Sequence, residues 1–131
     1  MFLLDTNALI YAFKGQGRYR ERIDAIDPKL LQISSLSLFE IEFGLARSTR
    51  PAPLRLFIED ARRRHALLPL DAQSAVHAGR LRQALHQKGT PIGPYDLLIA
   101  GSGLAHNLIV VTRNIREFAR VPGLRVEDWY D

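Results

Sequence analysis

The apolar positions of this chain follow two spacings that alternate along it. Residues 2–4 are Phe-Leu-Leu, residues 30–33 Leu-Leu-Gln-Ile, residues 67–70 Leu-Leu-Pro-Leu and residues 108–111 Leu-Ile-Val-Val. Short apolar runs without alternation read as strands buried on both faces, the kind found in parallel sheets. Pro69 places the third at a sheet edge, because proline cannot donate to a ladder. Leu124-Arg125-Val126 reads as a short last strand. Between these runs the spacing widens to that of helices, predicted over 6–13, 18–26, 36–47, 54–63, 71–87 and 95–104, with one or two turns at 115–119. Gly15, Gly17, Pro28, Gly89 and the Pro122-Gly123 pair punctuate them.

Two helices carry more detail. In 36–47, Leu36, Phe39, Phe43 and Ala46 form one face and Leu38, Ile41 and Leu45 another. A helix apolar nearly all round is expected to be buried nearly all round. Ser37-x-x-Glu40 has capping-box spacing, with Ser34 or Ser35 as alternative caps. In 71–87, Asp71 is the expected cap, and Ala72, Ala75, Val76, Ala78 and Leu81 make a small-residue face suited to close packing.

Strands alternating with helices imply an α/β fold of three layers, α/β/α, around a mainly parallel sheet of four to five short strands. With 131 residues, 47% of them hydrophobic, and no repeat or low-complexity tract, one domain over 1–131 is expected. The opening apolar run is too short for a signal segment, and no run approaches the ~20 residues needed to span a membrane. A soluble, cytoplasmic protein is expected. The absence of cysteine excludes disulfides and thiolate metal sites and suits a reducing compartment.

The acids change the picture. Asp5 directly follows the first strand, so it sits at the carboxyl edge of the sheet, where α/β proteins bind ligands. Burying a lone carboxylate there costs several kcal/mol unless a cation or donors compensate. The plain alternative is that Asp5 caps the next helix. Glu40 lies early in the helix after the second strand, Asp96 opens a helix, and Thr112 and Asn114 follow the fourth strand, all at the same edge. Glu42 is two residues from Glu40, about 200° round the helix, so only one of the pair can face the cleft. Several carboxylates in a water-poor cleft need a counter-charge, and their oxygens match Mg²⁺ or Mn²⁺. His65, His77, His86 and His106 lack zinc spacing and read as surface or packing residues.

Net charge is +4, and of 18 basic residues only Lys14, Lys29 and Lys88 are lysine, the other 15 being arginine. Arginine binds phosphate bidentately, so a polyanion, nucleic acid first, is the expected partner. Carboxylate-held metal in a basic protein points to metal-assisted phosphoryl chemistry. No Gly-rich phosphate loop, cysteine nucleophile or serine elbow is present.

Leu4-Asp5-Thr6-Asn7, Glu40-Ile41-Glu42-Phe43-Gly44, Gly93-Pro94-Tyr95-Asp96 and Val110-Val111-Thr112-Arg113-Asn114, in that order, resemble the motifs of PIN-domain ribonucleases, and best the VapC toxins of bacterial toxin–antitoxin pairs. The stretches Glu117-Phe118-Ala119-Arg120-Val121-Pro122-Gly123-Leu124 and Glu127-Asp128-Trp129 resemble that subgroup too, so the likeness runs from Leu3 to Trp129. It implies a PIN-like fold and Mg²⁺- or Mn²⁺-dependent endonucleolytic cleavage of RNA, tRNA or another structured translation RNA first. It also implies a homodimer and a cognate VapB-like antitoxin that blocks the cleft in a toxin–antitoxin hetero-oligomer. Carried over by position, Asp5, Glu40 and Asp96 match the family's metal-binding acids, with Thr6, Asn7 and Thr112 in support. Many members have an Asp where this chain has Asn114, and Glu117, three residues on, is the expected source of the missing charge. The other readings are a PIN-like domain that binds RNA or a protein without cutting, and a phosphoacceptor receiver. A receiver would need an acid pair after its first strand and a lysine after its last, whereas here Thr6-Asn7 follow Asp5 and no lysine follows Lys88.

Overall fold

The computed structural model describes the whole chain, Met1–Asp131. In order it forms β1 (Phe2–Leu4), α1 (Thr6–Lys14), α2 (Tyr19–Ala25), a 3-10 turn (Pro28–Leu30), β2 (Leu31–Ser34) and α3 (Ser35–Arg47). Then follow α4 (Ala52–Arg64), β3 (Ala66–Leu68), α5 (Ala72–Gln87), α6 (Pro94–Ala105), β4 (Ile109–Val111), α7 (Ile115–Phe118) and β5 (Val126–Glu127). The strands pair in parallel in the order β3-β2-β1-β4-β5. β3 is an edge strand and ends before Pro69, as the missing donor requires.

The sheet order positions the site. From central β1 the chain winds outward through β2 and β3, then returns to the other flank for β4 and β5. β1 and β4 therefore form a switch point, where adjacent strands send their connections opposite ways and leave a crevice at their carboxyl ends. Leu3 and Leu4 show why their run does not alternate: both are wholly buried, Leu3 in a core with α5, α6 and α7, Leu4 in one with α1 to α4. Val110 and Val111 divide between the same two cores on β4. Helices thus cover both faces of the sheet, giving the expected three layers.

Two expectations are corrected, and one of the alternative caps of α3 is selected. α3 is not buried all round: Ile41 and Leu45 are buried, whereas Phe39 and Phe43 are 52% and 57% exposed. Only one side of α3 finds α1, β2 and α6 to pack on. Its cap is Ser34, whose hydroxyl accepts the Leu36 amide at 3.1 Å, so Ser37 lies inside the helix, buried and without a partner for its hydroxyl. The buried stripe of α5 is Ser74, Ala78, Leu81 and Leu85, while Ala72, Ala75 and Val76 are exposed. Contact with α6 sets that phase: a Cβ on Gly101 would lie 2.7 Å from the Ala78 Cβ, so glycine lets the two backbones meet.

Candidate active site

Asp5 takes both roles that its position allows. Its extended backbone ends β1, its amide donates to the Val111 carbonyl at 3.2 Å, and its Oδ1 accepts the Ala8 amide at 2.8 Å as the cap of α1. The side chain is nevertheless at the crevice and only 2% exposed. Burial pushes its pKa up to about 7, and the nearby charges of Asp96 and Glu40 push the same way. The Thr112 hydroxyl and the Ala8 amide oppose them without prevailing.

Glu40 reaches the crevice from α3, where the Thr6 hydroxyl donates to its Oε1 at 2.7 Å. Glu42 points elsewhere and takes a two-pronged hydrogen bond from Arg55, at 2.5 and 3.0 Å. That guanidinium holds the Glu42 carboxyl below the usual carboxylate range. One turn from Glu40, Gly44 has open space above it.

Asp96 stands in the first turn of α6, after the Gly93 cap and Pro94. Burial raises its pKa to about 6, and the charge of Glu117 adds to the rise. Asn114 does not cap α7 with its side chain. Its Nδ2 donates instead to Asp96 Oδ2 at 3.0 Å and to Glu117 Oε2 at 2.9 Å, bridging the two acids. Glu117 also accepts the Gly93 amide, which holds its carboxyl below the usual range. Thr112 accepts the Asn114 amide at 2.9 Å while its hydroxyl faces Asp5. The structure therefore brings together Asp5, Thr6, Glu40, Asp96, Thr112, Asn114 and Glu117. Asn7 is exposed and makes no hydrogen bond to them.

Two features have no signature in the chain's patterning. The Gly93 amide serves Glu117 through its backbone, which no side-chain motif announces. Arg113, exposed between Thr112 and Asn114, pairs with Asp128 at 2.9 Å and lies 3.8 Å over the Tyr130 ring. Asp128 also accepts the buried Tyr19 hydroxyl at 2.5 Å, so the segment after β4 is tied to the chain's last residues. The histidines stay outside the cluster: His65 is buried against the Pro28 carbonyl, and His106 pairs with Asp71 at 2.7 Å.

Two of the acids are held partly protonated near neutrality, the mark of carboxylates short of positive charge. Their all-oxygen donor set fits a hard divalent cation. No three of the acids stand preassembled as a metal cage. Thr6 holds Glu40, and Asn114 bridges Asp96 and Glu117.

The PIN domain family matches residues 2–124. The tRNA(fMet)-specific endonuclease VapC of Salmonella typhimurium is 42% identical over 129 residues, 98% of this chain and 97% of that protein. Ribonuclease VapC2 of Rickettsia felis is 34% identical over 131 residues, 98% of each chain. In the crystal structure of DNA-bound VapBC from Salmonella typhimurium, a chain 42% identical superposes with a TM-score of 0.90, covering 98% of this chain and 97% of that one. The chain belongs to the PIN-domain family and, within it, to the VapC ribonucleases, a family whose nucleases generally depend on divalent metal.

Proposed function

We propose that this chain is the toxin of a type II toxin–antitoxin pair. It hydrolyses phosphodiester bonds of a structured translation RNA, tRNA first, with Mg²⁺ or Mn²⁺ held among Asp5, Glu40, Asp96 and Glu117. The observation that carries the reading is the buried Asp5 at the β1–β4 switch point, faced by Asp96 and Glu40 and raised to about 7. VapC relatives named for ribonuclease action, one of them on tRNA(fMet), support it.

A bound divalent cation supplies a Lewis acid for the scissile phosphate and lowers the pKa of water beside it. The chain's own residues supply the rest. The cap bond to Ala8 orients the Asp5 carboxylate, and the Thr6 hydroxyl orients Glu40. Asn114 holds Asp96 and Glu117 apart by one amide nitrogen. Asp96, in the first turn of α6, is presented to the same crevice with the Asn114 amide on its Oδ2. The surrounding arginines hold the polyanion by its phosphates.

The self-repelling cleft is suited to receive a cationic side chain of a VapB-like antitoxin as it receives metal. A VapBC complex of a 42% identical relative supports that partner. The working form is a homodimer of single-domain chains in the cytoplasm; no helix is long and apolar enough to cross a membrane.

The test incubates purified protein with bulk tRNA. Endonucleolytic products should appear with Mg²⁺ or Mn²⁺ and vanish with EDTA and in the Asp5→Asn variant. Co-expression with the small gene immediately upstream should restore growth and co-purify both chains. Full cleavage in EDTA overturns the metal mechanism. If the protein binds tRNA but leaves it intact in both metals, the non-cleaving PIN-like domain, to which Asn114 lends support, replaces it.

A further inference from the structure

Parallel pairing brings β4 and β5 to the same edge of the sheet, where the Thr112 amide donates to the Glu127 carbonyl at 3.0 Å. The next residue on each side, Arg113 and Asp128, meet just beyond the sheet and pair at 2.9 Å. The Arg113 guanidinium also lies over the Tyr130 ring, 3.8 Å from its centroid. Tyr130 is pinned from its other side. Its carbonyl accepts the Arg18 amide at 2.8 Å, and Gly17, with φ of +57°, comes so close that a Cβ there would lie 2.6 Å from that carbonyl oxygen. Tyr11 meets Tyr130 edge to face and stacks on Tyr19, whose hydroxyl donates to Asp128.

This assembly stands beside the acids. Arg113 lies between Thr112, whose hydroxyl faces Asp5, and Asn114, which bridges Asp96 and Glu117. Burial and Asp128 push the Tyr19 phenol up, and the charge of Asp5 adds to the rise, so the network flanks Asp5. Other arginines use more of their donors within the protein. Arg18 and Arg55 each grip a carboxylate with two prongs, and Arg20 donates to the Ala12 and Phe13 carbonyls. Arg113 uses one of its five N–H donors, and its side chain is 40% exposed. The carboxylate it meets is shared with the Tyr19 hydroxyl and the Tyr130 amide. A residue that served only to tie down the chain's end would do so better with a two-pronged grip, as Arg55 has. A guanidinium held flat by a ring and one prong instead keeps an edge of donors for an anion, and loses less side-chain freedom when the anion arrives.

We propose that Arg113, held in place by Asp128 and Tyr130, anchors a non-scissile phosphate of the RNA beside the bond that is cut. The inference rests on the ribonuclease reading above and deepens it. Asp5, Glu40, Asp96 and Glu117 repel a polyanion from the crevice, and Arg113 is the fixed cation between two residues of that crevice. A phosphate held there sets the register of the strand against the acids.

The test measures binding of bulk tRNA to the full chain carrying Asp5→Asn, so that the RNA stays intact, at one Mg²⁺ concentration and over a range of KCl. Arg113→Gln should weaken binding about tenfold and make the slope of log Kd against log salt shallower by about 0.7 to 0.9, the value of one phosphate contact. Arg113→Lys should keep the slope. Arg125→Gln removes the same charge at the opposite edge of the sheet, where Arg125 pairs with Asn107, and should change neither quantity. In the otherwise unaltered chain, Arg113→Gln should raise KM for tRNA about tenfold and leave kcat within about twofold, as loss of uniform binding does. Asp128→Asn keeps an oxygen for the guanidinium but removes the competing anion, and should tighten binding a few-fold. It carries the test if Arg113→Gln fails to fold, and unchanged or weaker binding by the folded Asp128→Asn protein overturns the proposal. An unchanged slope in Arg113→Gln also overturns it and leaves Arg113 a tie for the chain's last residues. Equal losses in Arg113→Gln and Arg125→Gln do the same, because total charge then governs binding. A slope that depends on Arg113, with no cleavage by the parent protein, would refute the nuclease and leave the anchor standing. Cleavage by a parent whose slope is indifferent to Arg113 would do the reverse.

Discussion

Asp5 and Asp71 each cap a helix from an extended backbone, with φ/ψ of −82°/176° and −86°/178°, and each accepts at 2.8 Å the amide of the residue three places on. Locally the two are the same device. Their chemistry runs in opposite directions. Asp71 is partly exposed beside His106, and the Ser74 amide holds its carboxyl below the usual range. Asp5 is almost wholly buried, faces two further acids, and is raised to about 7. What separates them is place in the sheet. Asp71 follows an edge strand, where water reaches it, and Asp5 follows the central strand at the switch point. A cap is decided by a few residues of sequence, whereas an active carboxylate is decided by what the fold brings opposite it.

The largest effect that tests this contrast is on cleavage. Asp5→Asn keeps an oxygen for the Ala8 amide but removes the charge, and should lower RNA cleavage by about a thousandfold or more, several kcal/mol of transition-state stabilisation. Asp71→Asn makes the same chemical change at the same kind of cap and should leave cleavage unchanged. Similar losses in both, measured on one RNA under one Mg²⁺ concentration, would show that the cap and not the cluster matters. Next in size is the pair on α3. Glu40→Gln should reduce cleavage about a hundredfold or more, since it removes an anion from the crevice. Glu42→Gln, which loses only a surface pair with Arg55, should retain most of it. The reverse ranking would mean that the phase of α3 is wrong.

Stability should separate the two caps by sign. The folded pKa of Asp5, about 7, lies above its ordinary 3.8, so the folded protein binds the extra proton between those values. That contribution is fully present below about pH 4 and is lost as pH rises through 7. Asp71 has a depressed pKa, so its contribution is present at neutral pH and lost on acidification through the folded value. In EDTA at pH 8, Asp5→Asn should therefore melt several degrees higher than the parent, a gain on the order of a few kcal/mol, and the gain should shrink towards pH 5. Asp71→Asn should show no such gain. Mg²⁺ should raise the parent's melting temperature more at pH 8 than at pH 5, and raise that of Asp5→Asn little. A pH-independent Asp5→Asn effect would remove the repulsion from the account.

How much of this could be read from the chain follows the same division. The strands were legible because their apolar runs are set by burial on both faces, and Asp5, Glu40 and Asp96 because each sits next to a strand end or opens a helix. The exposed rings of α3 were not legible: periodicity shows that Phe39 and Phe43 share a face, but not that nothing packs against it. The buried stripe of α5 was mis-phased for the converse reason, since Gly101 on α6 selects Ala78 as its neighbour. Asn114 could be placed at the right edge, yet its bond to Asp96 spans 18 residues and needs the turn after β4 to aim it. The Gly93 amide, a backbone group, carries no side-chain signal at all.

The smallest expected effect lies at Asn114, where the Asp5 side of the comparison can be sharpened without touching Asp5. Asn114 gives its amide nitrogen to both Asp96 and Glu117, and so supplies donors where the cluster is short of positive charge. Asn114→Asp removes those donors and adds an acid. Without metal the change should destabilise the protein at pH 8 and push the Asp96 carboxyl further up, because a third anion then faces the pair. With metal the sign should turn. The added carboxylate is a better ligand than an amide oxygen, so half-maximal cleavage should need less Mg²⁺, by a few-fold on the scale of one added ligand charge. Glu117→Gln should move the same quantity the other way, raising the Mg²⁺ needed while sparing thermal stability. Asn114→Ala should lower activity more than stability, since it frees both carboxylates from their shared donor. The deciding measurement is a Mg²⁺ titration of cleavage beside melting curves in EDTA. If Asn114→Asp is destabilising in EDTA and also needs more Mg²⁺, then Asn114 serves the fold alone. If Glu117→Gln leaves the titration unmoved, the metal is held by Asp5, Glu40 and Asp96 without it.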